Sequence, residues 1–214
     1  MTRRGDTIAI AYPGPKSKMK PSLVLRSANA QIAAGLPDQA RAALCRHLDR
    51  VPGDVQAAKL LARLHTARQE NDDAARRLLA AAMIHRSDAE LLYMLGDALL
   101  QAGRHDEAQQ AFEGSIRIEA REPLAYGGVA ACHMWRGEAG AAVAACERAV
   151  EAAPGHPDAY RVLSNTLVRL WRVEEAVAAA RRGLAVVPED PILLQAAVVA
   201  MNIADSADQS ESLE

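Results

Sequence analysis

Apolar residues recur three and four positions apart in stretches of about 14 residues, each long enough for roughly 21 Å of helix. The alternation of apolar and polar positions itself repeats. Ala40, Ala74, Ala108, Ala142 and Ala176 stand 34 residues apart, with no insertion or deletion between them. Units 21–54, 55–88, 89–122, 123–156 and 157–190 then share further columns. Position 8 is always small (Ala28, Ala62, Gly96, Ala130, Ser164), and position 7 reads Ser27, Leu61, Leu95, Val129 and Leu163. Position 24 reads Leu44, Leu78, Phe112, Cys146 and Ala180. Pro52, Pro154 and Pro188 occupy position 32 of three units, where the missing amide hydrogen and the restricted preceding residue stop a helix.

These columns predict two helices per unit. The small residue at position 8 lets the first helix approach the alanine at position 20 on the second, and large residues at 4, 7, 24 and 28 fill the space around that contact. One such hairpin cannot bury its apolar face alone, so neighbouring units must stack.

The pattern resembles the tetratricopeptide repeat, in which a large apolar residue, Leu-Gly, an alanine, a phenylalanine and a closing proline recur at this period. The third unit carries the resemblance best, through Leu92, Leu95, Gly96, Gly103, Ala108, Phe112 and Ile116. Position 11, where the family has an aromatic residue, departs from it: Gln31, His65, Leu99, His133 and Leu167. The resemblance covers residues 21–190 and implies an all-α, right-handed α-solenoid of five helix hairpins. It also implies that first helices line a concave groove through positions 2, 5, 9, 12 and 13. Those columns place Lys59 and Arg63 in the second unit, and Glu90, Tyr93, Asp97 and Gln101 in the third. Leu124, Gly127, Ala131, Met134 and Trp135 follow in the fourth, then Asp158, Arg161, Asn165 and Arg169 in the fifth. The expected groove runs from basic to acidic to apolar to mostly basic. Gly127 and Ala131, lacking side chains beside Trp135, are expected to leave room for a partner's anchor residue.

Residues 191–204 continue in phase as a terminal capping helix. Leu194, Ala197, Val198 and Met201 are expected to pack back on the fifth unit. Ile192, Leu193, Val199, Ala200 and Ile203 are left for other faces. A helix apolar all round is expected to be covered, here by a second copy of the chain or by a following domain. This junction is also similar to the one in bacterial proteins that look like O-linked N-acetylglucosamine transferase. Their asparagine ladder at position 6 is replaced here by Arg26, Leu60, Met94, Gly128 and Val162. Residues 1–20, with five basic side chains against Asp6, read as a disordered basic arm, and residues 205–214 as an acidic tail.

Composition narrows the function. A net charge of -2 over 214 residues implies no bulk attraction to nucleic acid, and no stretch approaches the roughly 20 apolar residues that span a bilayer. Three cysteines, Cys45, Cys132 and Cys146, do not make a disulfide framework, so a cytoplasmic setting is expected. Phosphate-binding loops, nucleophile elbows and HExxH helices are missing. Cys132, His133 and Cys146 lack metal-ligand spacing, so no metal or cofactor is expected. His65 and His133 are expected to fill half-buried slots. His105, Asp106 and Glu107 look like a reactive trio, but adjacent helical residues do not face one another. Carboxylates recur at their positions in other units (Asp38, Asp72, Asp73, Glu174, Glu175), as the positive end of a helix dipole favours.

The expected role is a non-catalytic scaffold or adaptor holding another protein's peptide or helix in the groove. One alternative is the recruiting arm of a glycosyltransferase-like or sulfotransferase-like enzyme. Another is a homo-oligomer built through the terminal helix.

Overall fold

The computed structural model describes residues 23–191, 193–195, 197–199 and 201–202. The basic arm, the acidic tail, Ile192, Ala200 and Ile203 lie outside the described residues. The chain runs through hairpins α1 (Leu23–Ala33) with α2 (Pro37–Leu48), α3 (Val55–Thr66) with α4 (Asn71–Ile84), and α5 (Ala89–Gln101) with α6 (His105–Ile118). It continues through α7 (Pro123–Trp135) with α8 (Ala139–Ala152) and α9 (Pro157–Arg169) with α10 (Val173–Val186). From α3 onwards, successive first helices begin 34 residues apart, and so do all the second helices. The result is an all-α right-handed solenoid of five hairpins with a terminal helical stretch.

Local chemistry sets the helix boundaries. From α3 onwards first helices begin at side-chain caps: Asp54 Oδ1 accepts from the Ala57 amide at 3.1 Å and Asp88 Oδ1 from Leu91 at 2.8 Å. Glu122 does the same for Leu124 at 3.2 Å. Second helices after α2 have no side-chain cap and carry acids in the first turn instead, as at Asp106 and Glu107, except for α8, which has none. The trio at 105–107 is therefore a helix start. Between the two helices, position 15 always adopts the left-handed backbone: Gly35, Gln69, Gly103, Gly137 and Trp171 have φ of 74°, 61°, 77°, 74° and 59°. Glycine reaches that region freely, whereas a bulky residue there is strained.

The core follows the columns. The five ruler alanines are fully buried, as are the small residues at position 8. Ser164 Oγ donates to the Ala176 carbonyl at 3.0 Å, which puts positions 8 and 20 of one hairpin in direct contact. Phe112, the chain's single phenylalanine, lies between two helices through glycine. A Cβ on Gly96 of α5 would stand 2.7 Å from its ring, and one on Gly128 of α7 2.5 Å from it. Tyr126 and Tyr160 tie successive hairpins by donating to the Ala120 and Pro154 carbonyls at 3.1 and 2.9 Å. Cys132 and Cys146 are buried hydrophobes, and burial pushes the Cys146 thiol up to about 11. Such thiols stay protonated and are poor ligands.

The terminal stretch corrects an expectation. Leu193, assigned to an outer face, is fully buried, whereas Leu194, Val198 and Met201, expected to pack back, are about half exposed. Only Ala197 of that set is buried. Elsewhere position 3 packs against the preceding hairpin: Ala57, Leu91, Ala125 and Ala159 are all fully buried. Leu193 continues that column and rests on α10, with its Cδ1 2.9 Å from where a Gly183 Cβ would stand. Positions 4, 8 and 11 face the second helix of their own hairpin. Among the described residues no such helix follows, so Leu194, Val198 and Met201 stay open, with Val199 beside them.

Candidate functional site

First helices repeat a groove-facing stripe at positions 5, 9 and 13, because residues four apart stack on one face of a helix. In α5, α7 and α9 this stripe surrounds an open cleft of about 230 Å³. Tyr93 and Asp97 stand on the α5 side, and Arg161, Asn165 and Arg169 on the α9 side. Leu124, Gly127, Ala131 and Met134 of α7 run between them. Nine of the fifteen groove residues marked in the sequence thus line one cleft. Leu100, Phe112, Gly128, Val162 and Thr166 line it too. Leu100 belongs to a marked column, but positions 6 and 10 and the second-helix Phe112 had no groove signal in the sequence.

The walls carry opposite charge. Asp97 accepts from Gln101 Nε2 at 2.8 Å, and Arg161 Nε donates to Asp158 at 2.6 Å. Asn165 and Arg169 are exposed, and their side chains make no hydrogen bond with any described residue. Tyr93 stands beside Asp97 on the α5 wall; burial raises the pKa of its hydroxyl, nearby Asp97 raises it further and Arg161 opposes. The floor is less vacant than the sequence suggests. A Cβ on Gly127 would meet Val162 at 3.0 Å, so that glycine serves the approach of α9 as well as the cleft.

Six marked residues lie elsewhere, and three of them, Glu90, Gln101 and Asp158, serve as partners of Lys59, Asp97 and Arg161. Lys59 is no open basic contact: it is 5% exposed, and its ammonium donates to Asp88 at 3.0 Å and Glu90 at 2.8 Å. Asp88 caps α5 and Glu90 lies in its first turn, so Lys59 ties α3 to α5 and the expected basic patch is neutralised. Arg63 is exposed, 3.8 Å from Glu90. Trp135 ends α7 and turns to the edge of the solenoid, where its ring stacks on His105 with centroids 4.5 Å apart, leaving it 67% exposed. It does not line the cleft.

At the turns, hairpins two and four share a cluster that the sequence reading missed. Nδ1 of His65 and of His133 donates to the glutamate five residues on, Glu70 at 2.7 Å and Glu138 at 2.6 Å. Arg68 and Arg136 bind the same glutamates and reach back to Asp38 at 2.8 Å and Asp106 at 3.3 Å in the preceding hairpin. The recurrence of His-x2-Arg-x-Glu in these two units was the available signal. The bond from His65, then that from Arg41, holds the Glu70 carboxyl down to about 2. Ligand atoms of His65, Glu70 and Asp73 gather within 4.8 Å. Both Glu70 oxygens are already bound by guanidinium groups, whose charge opposes a cation.

No helix among the described residues is long and apolar enough to cross a membrane. The chain is similar in fold to a crystal structure of MamA, with 21% identity and TM-score 0.63 over 77% of this chain and 90% of that one. It is similar to TTC0263, a thermophilic TPR protein of Thermus thermophilus, with 20% identity and TM-score 0.62 over 83% and 97%. YrrB, described as a TPR protein with an unusual peptide-binding site, matches at 18% identity and TM-score 0.55 over 81% and 89%. No protein of curated function matches the chain in sequence. Profiles described as tetratricopeptide repeat match residues 67–125 and 93–157, and another of that description matches 134–200. With most of the chain matched and each hairpin built on the same buried columns, the protein belongs to the tetratricopeptide-repeat family.

Proposed function

We propose that the protein is a non-catalytic scaffold or adaptor that holds a peptide or helix of another protein in the concave cleft of hairpins three to five. The observation that carries this reading is the cleft itself. It has an apolar floor and polar walls of both signs, and two of its polar side chains, Asn165 and Arg169, have no partner among the described residues. A partially apolar concavity with a few unsatisfied polar groups is the usual form of a recognition site. The peptide-binding site named for YrrB belongs to a protein of similar fold and supports the same class of role.

Site-specific photo-crosslinking tests it. A photoreactive residue at Met134 is expected to trap a discrete partner protein that the same residue at Arg181, on α10 outside the cleft, does not trap. Equal adducts from both positions refute the assignment.

A second reading, self-association through the terminal stretch, is favoured by the exposed apolar row Leu194, Val198, Val199 and Met201. Light scattering of the wild type and of Val198→Glu tests it: a monomer in both removes it.

A further inference from the structure

Resting on that reading, we infer that the cleft selects an acidic segment anchored by one apolar side chain and laid in a fixed direction along the groove. Arg161, Asn165 and Arg169 are spaced four and eight residues along α9 and line the cleft together. Two cations and an amide therefore rise about 12 Å along one wall. Arg161 spends its Nε on Asp158, while Arg169 and Asn165 remain uncommitted. The opposite end is acidic. Asp97 is bound only by a neutral glutamine among the described residues, whereas Asp88 and Glu90 are balanced by Lys59 and Arg63. A carboxylate on the occupant is attracted to the α9 wall and repelled from the α5 side, so charge sets polarity as well as affinity. Between the walls, Ala131 and Met134 offer an apolar surface for one aliphatic side chain. A basic segment would have to set its charge against two arginines, and it is the disfavoured occupant.

The carboxylate has two sources, an Asp or Glu side chain or the free end of a chain. Synthetic peptides of about a dozen residues, roughly three helical turns, separate them. Each carries one leucine and one glutamate at varied spacing in an Ala/Gln background. Gln and Lys replace the glutamate in matched sets, and every peptide is made with a free and an amidated C-terminus. Fluorescence anisotropy on the full chain is expected to show glutamate peptides binding about tenfold more tightly than their Gln forms, and Lys forms weakest. If the carboxylate is a chain end, the gain follows the free terminus instead. Arg169→Gln, at an exposed position that should leave helicity unchanged, is expected to erase the difference between Glu and Gln peptides. Tighter binding of Lys peptides, a preference that survives Arg169→Gln, or no binding by any peptide overturns the inference. The reading beneath it fails separately: Ala131→Trp fills the floor, and unchanged binding to that variant means the peptides sit outside the cleft.

Discussion

Gly128→Ala tests how the groove floor is built. A methyl group there would stand 2.5 Å from the Phe112 ring, well inside contact distance. Retreat is restricted, because the ring also lies close against the Gly96 backbone, where an added Cβ would stand 2.7 Å from it. Alanine gains about 1 kcal/mol of helix propensity over glycine, while overpacking a tight site costs about 1–3 kcal/mol. The net expectation is a loss of up to about 2 kcal/mol, a drop of up to roughly 8 °C in Tm for a chain of this size. Gly140→Ala is the control: it is helical, with nothing within 4 Å of the added Cβ, and should gain up to about 1 kcal/mol. Phe112→Leu makes room for the methyl group, so in the double variant the Gly128→Ala penalty should shrink or vanish. Urea unfolding followed by circular dichroism measures each of these variants beside the wild type. Two probes guard against uncoupled melting of separate hairpins. Gly128→Ala at or above wild-type stability, or a penalty unchanged in the Phe112→Leu background, refutes the packing argument.

Lys59→Met takes away the ammonium that bridges Asp88 and Glu90 and should cost about 1 kcal/mol in denaturant unfolding, despite an apolar side chain of similar length. The Glu70 carboxyl is lowered from its ordinary value of 4.5 to about 2. Its contribution is therefore complete above about pH 4.5 and lost as pH falls towards 2. Glu70→Gln should flatten that part of the Tm-against-pH curve while leaving its upper end parallel to wild type. Trp171→Gly relieves a left-handed tryptophan with φ of 59° and should stabilise the chain by about 1 kcal/mol, read as a rise in urea midpoint. Leu193→Asp, at a fully buried position, should lower thermal stability far more than Leu194→Asp at the half-exposed neighbour. A larger effect at Leu194 would restore the original assignment of faces.

Phase and architecture were legible because they are local and repeated. A small residue at position 8, alanine at 20 and apolar residues between them determine which face of each helix is buried. Thirty-four residues without a gap then repeat that decision until stacking is the only way to cover it. The groove columns follow from the same phase, which is why Tyr93, Asp97, Arg161, Asn165 and Arg169 meet at one cleft. Tertiary structure decided what depends on a neighbour one hairpin away. Lys59 is apolar-stemmed and charged in any reading, but its burial is set by carboxylates 29 and 31 residues on. Trp135 stands outside the cleft with its ring on His105, a residue with no counterpart in its own column. Leu193 and Leu194 exchange roles for a related reason. Periodicity marks a helix as apolar, yet which of its faces is covered depends on whether a partner helix lies beside it, and period alone does not carry that.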